Sequence, residues 1–301
     1  MFQLNRRDFL GSALASSALL AGTRPAVGIE PIQRTGKAHL KLSIAAYSFR
    51  KYLDLKIKPK PPMTLDDFAD LAVGMELEAI EPTGYYFAEA TPREMARYRG
   101  RCTRLGLDIS STAIRNDFCI RDPEKLRSEI AHVKKWSELA SIMGAKTVRI
   151  FGGYLERGDS EEAASARVVE AIQECCDHAG KYGIFLALEN HGGITASCDR
   201  ILAIVKAVQH DWFGVNLDTA NFQTEDPYGD LQRLAPYAVV VQTKTELQAK
   251  GKAKELADLP RLMRILRDAN YRGYVALEYE AAEEPKVGVP AAIAQLKKLM
   301  G

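Results

Sequence analysis

The stretch GIFLALENHGG (183–193) is an apolar run that stops on a carboxylate, an amide and an imidazole, with two glycines behind. A strand with one wet face alternates apolar and polar residues. This one is apolar at nearly every position, the pattern of a strand buried on both faces of a parallel sheet. The pattern recurs along the chain. KLSIAAYSF (41–49), LEAIEPT (77–83), LDISSTAI (107–114) and KTVRIF (146–151) come before it, and FGVNLDT (213–219), AVVVQTK (238–244) and YVALEYE (274–280) follow.

Helical patterns fill the gaps. TLDDFADLAVGM (64–75) opens on Thr64 as an N-cap, and 91–106 has Pro92 in its first turn and Gly106 as a stop. The segment 122–144 repeats that pattern with Asp122, Pro123 and Gly144, and 160–183 begins on Ser160 with Glu161 and Glu162 favouring the helix dipole. Shorter helices are predicted at 197–208, 228–236, 256–269 and 290–300. Eight strands alternating with helices over roughly 270 residues predict a single-domain α/β fold, the (β/α)8 TIM barrel, spanning 38–301. A doubly wound open sheet is the competing architecture. No G-x-G-x-x-G follows any strand, and Gly152-Gly153 is too short to cradle a dinucleotide.

The formal net charge is +2, and Arg6, Arg7 and Arg24 against Asp8 account for it, so the rest of the chain is close to neutral. With no basic tract, a nucleic-acid partner is not expected. NRRDFL (5–10) precedes a short run of small and apolar residues, GSALASSALLAG (11–22). A charged start and a run too short to span a bilayer describe an export signal. The paired arginines before Phe-Leu resemble a twin-arginine (Tat) signal, implying export of the folded chain to the periplasm. Residues 1–28 are assigned to that signal, with no stable membrane association expected after export. Cys102, Cys119, Cys175, Cys176 and Cys198 are odd in number and show neither CxxC nor zinc spacing, so they read as packing residues.

In such a barrel chemistry gathers where strands meet the loops that follow them. Read in order, the strand ends offer Glu81, Arg115-Asn116, Arg149, Glu189 with His191, Asp218 with Asn221, Gln242 with Lys244, and Glu278. Glu189, Asp218, Gln242 and Glu278 lie on four consecutive strands, one oxygen donor each at an equivalent depth. Three carboxylates converging without a cation would repel one another, so a divalent metal is expected between them. All-oxygen donors favour a hard ion, Mn²⁺ first with Mg²⁺ as the alternative.

LALENHGG (186–193), VNLDTANF (215–222), the Gln242/Lys244 pair and VALEYE (275–280) resemble the sugar isomerase/epimerase family with the xylose-isomerase-like TIM barrel. The resemblance covers essentially the whole mature chain. It implies a small-molecule carbohydrate substrate, compatible with a homo-oligomer, and a metal held by Glu189, Asp218, Gln242 and Glu278. It also implies that Glu189 and Glu278 are the catalytic acid–base pair, moving a proton on a carbon next to a carbonyl through an enediolate. Arg149, Lys244 and His191 would hold sugar hydroxyls, and Glu81, Asn116 and Asn221 complete the substrate-binding set. Two positions depart from the family: Gln242 stands where a histidine is usual, and so does Asn221.

The glutamine resembles the dehydratase branch, which includes 3-dehydroshikimate dehydratases. A lyase acting on a 3-keto-glycoside or similar ketone is therefore the alternative, and a non-catalytic carbohydrate-binding barrel the second. The related DNA-repair endonucleases need a histidine-rich site, whereas only His191 of the five histidines lies at a strand end.

Overall fold

The computed structural model describes residues 28–301, so the twin-arginine motif lies outside the described residues. Nine strands lie parallel in one sheet. They are β1 (His39–Ala45), β2 (Ala79–Glu81), β3 (Asp108–Ile109), β4 (Thr112–Ala113), β5 (Thr147–Ile150), β6 (Phe185–Glu189), β7 (Phe213–Asp218), β8 (Ala238–Thr243) and β11 (Arg272–Leu277). A two-stranded antiparallel pair, β9 (Glu246–Leu247) and β10 (Glu255–Leu256), follows β8. The order β3-β2-β1-β11-β8-β7-β6-β5-β4 is that of a barrel, because β3 and β4 are two halves of one strand. Ile80 of β2 pairs with Ile109 of β3, and Thr83 just beyond β2 pairs with Ala113 of β4.

The helices α2 (Leu65–Gly74), α3 (Pro92–Leu105), α4 (Pro123–Met143), α5 (Glu161–Ala179), α6 (Cys198–Ala207), α7 (Pro227–Leu234), α8 (Leu259–Asp268) and α9 (Pro285–Met300) connect the strands, and α1 (Arg50–Leu53) is a single turn. Their starts are set by side-chain caps. Thr64 and Asp67 form a capping box, and Thr91, Asp122, Ser160 and Ser197 each accept a first-turn N–H. The apolar faces of helices and strands merge into one core that includes Phe68, Trp136, Leu188 and Leu217. All five cysteines are free and buried in it. No helix among the described residues is long and apolar enough to cross a membrane.

Three local features differ from the sequence reading. The first strand stops at Ala45 instead of Phe49, and the chain turns into a 3-10 helix, because Ser48 is drawn to the neighbouring strand end. Its Oγ donates to the Leu277 carbonyl (2.9 Å) and accepts the Tyr279 N–H (2.9 Å). The third strand breaks at Ser110-Ser111, where hydroxyls compete with the ladder: Ser110 Oγ contacts Ser43 Oγ at 2.8 Å. The last helix begins at Pro285, five residues before Pro290, the predicted start.

The opposite end of the barrel is covered by 28–37. Ile29 N donates to the Val208 carbonyl and Ile32 N to the Pro236 carbonyl, each just ahead of a strand. Asn270 ties the same segment down through the Arg34 and Gly36 carbonyls.

Candidate active site

The C-terminal ends of β5 to β8 and β11 bring Arg149, Glu189, Asp218, Gln242, Lys244 and Glu278 into one buried pocket, with Glu81 from β2 beneath it. Each polar side chain is there because its strand alternates. Gln242 and Lys244 are two residues apart and so share a face, as do Asn216 and Asp218, and Glu278 and Glu280. After Glu189 the chain turns away sharply at Gly192 and Gly193, both with positive φ. A Cβ on Gly193 would come within 2.2 Å of the Gly153 carbonyl, so this turn requires glycine.

The four oxygen donors reach the pocket, but they are not at one depth. β11 sets Ala276 opposite Gln242 and Leu277 opposite Thr243, so that Glu278, whose N–H donates to the Thr243 carbonyl, falls beside Lys244. Gln242 lies deeper and is engaged at both ends. Its Nε2 donates to Glu81 Oε1 (2.6 Å) and its Oε1 accepts from Asn216 Nδ2 (2.7 Å). Glu189 is held elsewhere: its Oε2 is 3.0 Å from Arg149 Nε, and its Oε1 accepts from Asn221 Nδ2 (2.8 Å). Asp218 Oδ1 accepts the N–H groups of Ala220 and Asn221.

At the centre is Lys244. Its Nζ lies 3.0 Å from Asp218 Oδ2, 3.1 Å from Glu278 Oε2 and 2.7 Å from Glu280 Oε2, and donates to Asn221 Oδ1 at 3.1 Å. A divalent ion shared by Glu189, Asp218, Gln242 and Glu278 does not fit this arrangement. Their oxygens point at different partners, and an ammonium fills the space between two of them. Among the described residues no three His, Cys, Asp or Glu side chains are placed to hold a metal ion.

The electrostatics follow from burial. Removal from water pushes the carboxyls of Glu81, Glu189 and Glu278 up to about 7, and that of Asp218 up to about 6. Burial opposes the charge on Lys244, but Asp218, Glu278 and Glu280 outweigh it and hold the amine well above its ordinary value. Arg149 is raised in the same way against its own desolvation, by Glu189 first.

The other substrate residues named from the sequence divide. His191 stands at the lip with its ring 4.4 Å from Phe151; loss of solvation, then the charges of Arg149 and Lys244, press it down to about 4, so it is a neutral imidazole. Asn221 bridges Glu189 and Lys244. Asn116 serves the backbone: its amide donates to the Phe151 carbonyl (2.8 Å) and accepts the Phe151 N–H (2.9 Å), which spends both ends. Glu81 is buried below the pocket floor, bound to Gln242, and makes no open contact.

Glu280 and Asn216 were missed, although each lies two residues from a named group on the same face. Tyr47 and Tyr85 were missed as well, and nothing in their local sequence marks them. They line a cavity of about 400 Å³ at the mouth, with Arg50 and Arg115 stacked 5.1 and 4.8 Å over their rings. Asp54, Leu55, Lys56 and Ile57 form the outer wall, so the proline-rich loop 53–63 borders the entrance. A smaller cavity of about 220 Å³ opens on Asn221, Lys244 and Glu280.

Solved structures with this architecture include the 3-keto-D-glucoside 4-epimerase YcjR from E. coli, with TM-score 0.68 and 12% identity over 86% of this chain and 99% of that one. A probable 3-DHS dehydratase, AsbF from Bacillus anthracis, gives TM-score 0.66 and 17% identity over 85% and 98%. The IOLI protein with a binding zinc atom gives 0.67 and 20% over 86% and 96%. Likenesses at this level of identity show the shared fold. The zinc in one neighbour shows that a protein of this fold can hold a divalent metal. No functionally curated protein matches the chain by sequence. The profile of one family matches residues 69–299, and the chain belongs to that family, the xylose isomerase-like TIM barrels.

Proposed function

We propose that this protein is an isomerase or epimerase of a keto-sugar, moving a proton on the carbon next to a carbonyl. The observation that carries this reading is the pair Glu189 and Glu278. Both are buried, they are separated around the rim by β7 and β8, and each lies beside its own buried cation. A carboxyl raised to about 7 exchanges a proton readily near neutral pH, as general acid–base catalysis requires. Glu278 Oε1 accepts no hydrogen bond among the described residues and is the freer base, whereas Glu189 is fixed by Arg149 and Asn221. Removal of the proton by one carboxyl and its return by the other gives epimerisation or isomerisation. Arg149, Lys244 and neutral His191 are placed to bind the sugar oxygens.

Elimination is the second reading. Gln242 at the usual histidine position and two carboxyls, Glu189 and Glu278, able to carry a proton to a leaving group both favour it, with a 3-keto-glycoside or 3-dehydroshikimate-like ketone as substrate. For either reaction the paired Arg6 and Arg7 support export, so a free or oxidised sugar suits the pocket better than a cytoplasmic phosphate ester. Incubation of keto-sugars and 3-keto-glycosides in deuterated water separates the two. An isomerase returns a substrate or epimer carrying deuterium at the alpha carbon, and a lyase releases an unsaturated product. A full panel with neither outcome overturns both.

A further inference from the structure

We propose that the Lys244 ammonium takes the place of a divalent cation in this pocket, making the site metal-independent. The argument is geometric. Four oxygens, from Asp218, Asn221, Glu278 and Glu280, surround Nζ at 2.7 to 3.1 Å, more than an ammonium's three N–H groups can serve singly. Two of these, Asp218 and Glu278, are the residues that a shared metal would need. The other two members of the expected quartet are turned away, Glu189 to Arg149 and Gln242 into a hydrogen-bond chain with Asn216 and Glu81.

Where a metal ligand of the histidine type would present a lone pair, the amide of Gln242 is locked, and two residues along the same strand face Lys244 supplies positive charge instead. The ammonium also borders the cavity that opens on Asn221 and Glu280. An oxyanion arriving there can replace one of its four partners and receive its N–H, the role a metal plays in stabilising an enediolate. That last step rests on the proposed proton-transfer reading; the exchange of metal for ammonium does not.

The test is Mn²⁺ uptake by the full-length purified chain after chelation and dialysis, read by calorimetry and by the shift of the thermal midpoint. The wild-type chain is expected to bind no Mn²⁺ at millimolar concentration and to show no shift. Lys244→Met removes the charge while keeping an unbranched apolar stem one atom shorter. It is expected to lower the midpoint, and Mn²⁺ is expected to bind and to restore part of the loss. Stoichiometric Mn²⁺ binding by the wild type, abolished in Glu278→Gln, overturns the proposal whether or not Lys244→Met folds. So does a folded Lys244→Met chain that takes up no ion. Sugar turnover is measured separately, so a chain that binds no metal and transforms no keto-sugar defeats the functional reading and leaves this one standing.

Discussion

On the β5–β6 side of the pocket one guanidinium meets one carboxylate; on the β7–β8–β11 side one ammonium meets three. Both halves use the same device, a buried cation answering buried acid, but in different proportion. Arg149 is buried and held on several sides, with Nε 3.0 Å from Glu189, Nη1 donating to the Ile114 carbonyl and Cζ 4.0 Å from the centre of the Phe151 ring, so that half is a fixed wall. The Lys244 half carries surplus negative charge, three carboxyls around one ammonium. Asn221 joins the halves, donating to Glu189 and accepting from Lys244. The difference in ratio leaves Glu189 held by two partners, Arg149 and Asn221, while Glu278 shares its cation with Asp218 and Glu280.

The largest expected effect comes from breaking each half at its acid. Glu278→Gln is expected to slow deuterium incorporation roughly 10²–10⁴-fold while leaving the thermal midpoint unchanged or higher, because a surplus buried charge has gone. Glu189→Gln is expected to slow it similarly but to lower the midpoint, since Arg149 loses its partner; equal stability effects would erase the distinction. Next, Arg149→Met strands Glu189 and is expected to cost about 3–5 kcal/mol, read from urea unfolding of the two chains.

Glu81 tests the floor beneath both halves. Its carboxyl is raised in the folded state, so the native chain binds more protons than the unfolded one, and stability present below pH 4.5 is lost as pH rises through about 7. Glu81→Gln keeps an acceptor for Gln242 and is expected to flatten that decline, raising the midpoint at pH 8 by ~2–4 °C for each kcal/mol recovered. Buried Glu189, Glu278 and Asp218 share the same sign, so part of the slope should remain. Smallest is Glu280→Gln. Its side chain is 28% exposed, and the pair it makes is expected to contribute under about 1 kcal/mol.

The barrel was legible because parallel strands buried on both faces leave an unmistakable apolar pattern, and the helix caps at Thr64, Asp122 and Ser160 lie where the spacing puts them. The break at Ser110-Ser111 was not, since it depends on hydroxyls finding partners on other strands. The site was legible as a set of positions, because the end of each strand can be read directly. Its wiring was not. Whether Gln242 faces an ion or a carboxyl, and which acids Lys244 gathers, depends on the stagger between β8 and β11 and on side chains more than twenty residues apart in sequence. Asn116 shows the same limit: an amide at a strand end reads as a ligand group until its backbone partners are known.

The strap 28–37 fixes the polarity of the whole molecule. It grips the end of the barrel away from the pocket, so Gly28, where the described residues begin, lies at the pole opposite the entrance. A purification tag or surface tether joined at Gly28 would therefore leave the mouth of the pocket unobstructed.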